Sequence, residues 1–119
     1  MTNKIGFVSL FAVSSMLLCS CRFTAPSAEE EKGVLEEAGY SVIVLDDYDD
    51  EQHPVLQFCT GVNECLYGKK DKDEIYLIYF LSTQTAEDNY DFIYTNLKKG
   101  QINELVYVGT SQAIKDAKL

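Results

Sequence analysis

Tryptophan is absent from this sequence, proline occurs twice and histidine once, and basic residues are outnumbered by acidic ones, 10 against 19. Each shortage excludes something. A single histidine, His53, cannot build the multi-histidine sets that hold zinc, and no G-x-S-x-G elbow or Cys-His signature gives it a nucleophile. The formal net charge of −9 leaves no basic footprint for nucleic acid. No glycine-rich phosphate loop occurs. The longest apolar run, Ile5 to Leu18, would be about 21 Å long as a helix, against roughly 30 Å of bilayer hydrocarbon. No low-complexity tract or repeat divides the chain, and its 119 residues suit one small domain.

What is present begins with that short run. Lys4 precedes it and Ser9, Ser14 and Ser15 dilute it, the pattern of a secretory signal rather than a spanning helix. Leu18-Cys19-Ser20-Cys21 follows, with Leu at −3, a small residue at −1 and cysteine at +1. This resembles the lipobox of bacterial lipoproteins. The resemblance implies that residues 1–20 are a removed signal peptide and that the Cys21 thiol is diacylated. Cys19 fits less well, because it would put Leu18 at −1. Two acyl chains suffice for stable anchoring. The implied location is the extracytoplasmic side of the cell membrane or outer membrane. Residues 21–26 are then the lipidated cysteine and a tether, whose five residues after Cys21 reach at most about 18 Å. The globular domain is expected over 27–119.

Ser27-Ala28-Glu29-Glu30 reads as a capping box, predicting a helix over about 28–38 stopped by Gly39. Tyr40 to Leu45 is β-branched and predicts a buried strand, and Pro54 starts a short helix through about Cys59. Val62–Tyr67 and Ile75–Leu81 predict a hairpin across a polar turn. Thr85 caps the next helix, along which Tyr90, Ile93, Tyr94 and Leu97 recur at helical spacing before Lys98, Lys99 and Gly100. Leu105–Val108 is a last strand, and a final helix follows Gly109-Thr110-Ser111. The inner order β-α-β-β-α-β predicts an α+β, ferredoxin-like, four-stranded antiparallel sheet with an extra helix at each end. A three-layer α/β arrangement is the alternative. The closing segment VYVGTSQAIKDAKL also loosely resembles the ends of uncharacterised small secreted or lipid-anchored domains of low-GC bacteria, which implies no catalytic residues.

Few residues suggest chemistry. The acidic run 46–51 offers oxygen ligands for calcium but lacks the EF-hand glycine and terminal glutamate, so a solvated turn is the simpler reading. Cys59 and Cys65 lie six apart, too sparse a set for a metal; outside the cytoplasm they form either a disulfide or two buried thiols. Both faces of strand 75–81 are apolar. One would lie bare on a plain ferredoxin-like sheet unless the terminal helices cover it. Partial cover would leave an interaction surface at Tyr76 or Tyr79, with Tyr107 beside it. The expected function is therefore a lipid-anchored binding or interaction domain with a membrane anchor and a protein partner, and with no catalysis, metal or cofactor. The alternative is a calcium-dependent regulator or small enzyme using the 46–51 loop.

Overall fold

The computed structural model describes residues 24–45, 53–93 and 95–119; the segment 1–20 expected to be a signal peptide, Cys21 and the acidic run 46–51 lie outside the described residues. Helix α1 spans Ala28–Glu37. Its capping box is complete, since Glu30 N–H donates to Ser27 Oγ and Ser27 N–H to Glu30 Oε1. Three glutamates occupy its positive first turn. The helix ends at Gly39, whose φ of +99° is the left-handed conformation that glycine adopts without strain. The ammonium of Lys70 caps the Ala38 carbonyl at 2.7 Å.

Strand β1 (Ser41–Val44) follows, then a 3-10 turn at Pro54–Leu56. Strands β2 (Val62–Lys70) and β3 (Asp73–Phe80) form the expected hairpin, turning at Asp71 with a positive φ. Helix α2 is Thr83–Tyr90, capped by the Ser82 hydroxyl, which accepts from Thr85 N–H. Strands β4 (Lys98–Ile102) and β5 (Leu105–Gly109) form a second hairpin, and α3 is Ser111–Asp116, capped by Thr110.

The strands make one antiparallel sheet in the order β1-β2-β3-β5-β4. The α+β class therefore stands, while the four-stranded ferredoxin-like topology does not. The extra strand comes from the segment expected to end the second long helix. After Tyr90 the chain turns instead. Lys99 Nζ donates to the Tyr90 and Ile93 carbonyls, the acceptors a continuing helix would have used. Gly100 is not a helix stop; it lies opposite Tyr107 in the β4–β5 ladder, and a Cβ there would collide with the Tyr107 ring. Ile93 is buried, and Tyr90 and Leu97 pack against the same cluster, so their spacing reflects a shared core and not one helix.

Both sheet faces are covered. Val55, Leu56, Ala86 and Ile93 lie with Tyr76, Ile78 and Phe80 on one face; Leu35, Ala113 and Ala117 lie with Ile75, Leu77 and Tyr79 on the other. The terminal helices α1 and α3 thus take the face that a ferredoxin-like sheet would leave open. Helices on both sides match the layering of the three-layer alternative, on a sheet that is entirely antiparallel. Strand β1 is not buried as expected, because it is an edge strand with mostly exposed side chains. The packed region also reaches back past Ser27: Pro26 is buried and Ala25 packs against the second cluster.

Candidate functional site

The densest group of polar aromatic side chains sits where the 3-10 turn crosses the β2–β3 hairpin. Pro54 opens that turn, and buried Val55 and Leu56 pin it to the sheet, which holds His53 against the strands. Tyr67 and Tyr76 are directly opposed in the ladder, so their side chains share one face. Their ring centroids are 4.7 Å apart. The imidazole of His53 closes the triangle, 4.9 Å from Tyr67 and edge-on to Tyr76 at 5.4 Å.

Hydrogen bonds set the chemistry of this triangle. His53 Nδ1 and the Tyr76 hydroxyl are 2.8 Å apart. The Tyr67 hydroxyl donates to Glu74 Oε1 at 2.9 Å. Burial, then the Glu74 charge and the neighbouring Cys65, pushes the Tyr76 phenol up to about 12. Burial and the Glu74 hydrogen bond also hold the Tyr67 phenol well above the usual tyrosine value. Both phenols therefore keep their protons at neutral pH and act as hydrogen-bonding groups, not as bases. His53, the sole histidine, is buried at the start of the 3-10 turn. Sequence reading missed this group because register, not motif, brings its members together. The available signal was a tyrosine near the turn on each strand of the predicted hairpin, Tyr67 and Tyr76.

The other expected site residues separate. Tyr76 and Tyr79 are each 7% exposed and point to opposite faces, and Tyr107 is half-buried with Tyr79's cluster, so they do not form the expected open surface. Tyr79 instead donates its hydroxyl to the Pro26 carbonyl at 2.7 Å. Cys59 and Cys65 belong to one core cluster, Cys65 buried and Cys59 half-buried, and no disulfide joins them to each other in this structure. Cys59 Sγ donates to the Val55 carbonyl and Cys65 Sγ to that of Leu66. Burial first, then the nearby Cys59, pushes the Cys65 thiol up, which suits an inert buried thiol.

Among the described residues, no group of three or more His, Cys, Asp or Glu is placed to hold a metal ion, and no helix is long and apolar enough to cross a membrane. A cleft at the far end of the sheet is lined by Ala25, Pro26, Leu81 and the carboxylates Glu30, Glu64 and Glu104. No family model, no curated protein and no solved structure matches the chain.

Proposed function

We propose that this chain is a lipid-anchored, extracytoplasmic interaction domain that binds an extended, basic segment of a protein partner along edge strand β1, without catalytic chemistry. The anchor part rests on the lipobox-like Leu18-Cys19-Ser20-Cys21. One observation supports the binding part. Strand β1 is uncharged and β-branched, and it exposes Ile43 and Val44 by 53% and 46%. Proteins usually guard such edges with charge, because unpaired strand groups template another strand. The opposite edge, β4, carries the exposed charge of Lys98. An extended peptide adding to β1 would be held by main-chain hydrogen bonds. The acidic run 46–51, which follows β1 directly in sequence, favours a basic partner.

Two measurements test this. Palmitate labelling of the wild type and of Cys21→Ser should differ, with label lost from the variant; equal labelling would remove the anchor. A synthetic peptide alternating Lys and Val should slow amide exchange across 41–44, and a Glu/Val peptide should not. Ile43→Lys should abolish the protection. Unchanged exchange with both peptides would remove the binding role.

A second reading makes the 46–51 loop a calcium-dependent regulator or the site of a small enzyme. It draws on His53, which closely follows the loop and is held by Tyr76. Calcium titration with thermal melting separates the readings, since a cation that binds only the folded chain raises its melting temperature.

A further inference from the structure

The tether leaves the domain beside a group of exposed apolar side chains. Ala25 is packed on the core, so chain geometry keeps it within about 14 Å of Cys21, four residues upstream. Leu81, 70% exposed, lines the same cleft as Ala25 and Pro26. Its N–H donates to the Gly61 carbonyl at 2.9 Å, which joins it to the loop carrying exposed Phe58. That loop is joined in turn to the end of α2. Thr60 N–H donates to Asn89 Oδ1 and Asn89 Nδ2 to the Thr60 carbonyl, both at 3.0 Å, and exposed Phe92 lies three residues beyond Asn89. Three of the five large apolar side chains exposed among the described residues thus sit on segments joined by hydrogen bonds, and Leu81 among them lies beside the tether exit.

We infer that this end of the domain docks on the lipid bilayer, with Leu81 and Phe58 inserted at the headgroup boundary and Phe92 beside them. The inference rests on acylation of Cys21, because the shortness of the tether is what presses this end against the membrane. Exposed Leu and Phe gain by burial in the interface, and they supply the second attachment that turns a tethered domain into an oriented one. The carboxylates of Glu30, Glu64 and Glu104 around the cleft disfavour anionic headgroups, so the surface fitted here is zwitterionic. Docking this end directs the β2–β3 hairpin tip away from the membrane, since β3 runs between the two ends.

The absence of tryptophan makes the test direct. Full-length Leu81→Trp, produced with its signal and reconstituted into brominated phosphatidylcholine vesicles, should lose emission relative to unbrominated vesicles. Lys72→Trp, at the exposed hairpin tip, should not. Leu81→Trp that co-floats with vesicles but keeps its emission overturns the docking and leaves the anchor intact. Protein that does not float at all overturns the anchor and the docking with it. A blue shift that appears in detergent and grows with protein concentration assigns the patch to a second copy of the chain and also overturns the docking.

Discussion

The hydroxyl of Tyr79, on the central strand, donates to the carbonyl oxygen of Pro26 at 2.7 Å, joining the sheet to the residue just before the α1 cap across 53 positions. Burial, followed by the charges of Glu31, Glu64, Glu104 and Glu30, holds that phenol protonated, so it remains a donor.

The first prediction concerns this bond. Tyr79→Phe should lower the urea midpoint by the equivalent of about 1–3 kcal/mol, because a buried carbonyl loses its donor. A chain starting at Ser27 should lose a similar amount, because the same hydroxyl loses its acceptor. Combining the two changes should cost little more than either alone, as expected for two halves of one interaction. Full additivity in chemical denaturation would show that the bond contributes nothing.

Alkali should unfold the domain through its tyrosines. Tyr76 is pushed up to about 12, against roughly 10 for an exposed tyrosine. Between about pH 10 and 12 the unfolded chain releases this proton while the folded chain retains it. Stability from this group is therefore complete below about pH 10 and is lost as the pH rises towards 12. Burial raises Tyr40, Tyr67 and Tyr79 as well, which adds in the same sense. Melting temperature should be flat across neutral pH and fall above pH 10. Tyr76→Phe should make that fall shallower, while lowering the neutral melting temperature because His53 Nδ1 loses its partner. A parallel pH profile for the variant would contradict the assignment.

The two thiols should differ in reactivity. Cys65 is 1% exposed and its thiolate is disfavoured, whereas Cys59 is only half-buried. Native alkylation, read by mass spectrometry, should modify Cys59 first and reach Cys65 only on unfolding. Labelling of neither cysteine until a reductant is added would reveal a disulfide.

Local punctuation was the most legible part of the fold. Ser27 and Glu30 announce the first helix, Gly39 ends it, and Thr110 starts the last, because capping uses hydrogen bonds between residues three apart in sequence. The β2–β3 hairpin was legible for a similar reason, as two apolar runs on either side of a polar turn. The segment after Tyr90 was not. Its period of apolar residues matched a helix, yet the competing partner of its backbone, β5, lies in the following hairpin, and Lys99 takes the carbonyls that would have extended the helix. The candidate site was hidden for a related reason: Tyr67 and Tyr76 meet through strand register, and His53 reaches them through a packed turn.

By itself, the sequence determined the α+β class, the caps of the first and last helices but not that of α2, where Ser82 replaces the expected Thr85, the central hairpin and the absence of a basic nucleic-acid footprint, all properties of composition or of contacts a few residues long. Tertiary structure alone decided that β4 pairs with β5, that α1 and α3 cover the second sheet face, and that the Tyr79 hydroxyl donates to the Pro26 carbonyl. Those outcomes depend on which apolar surface finds which cover. That competition is settled by burying area across the whole chain, and no short window of residues contains it.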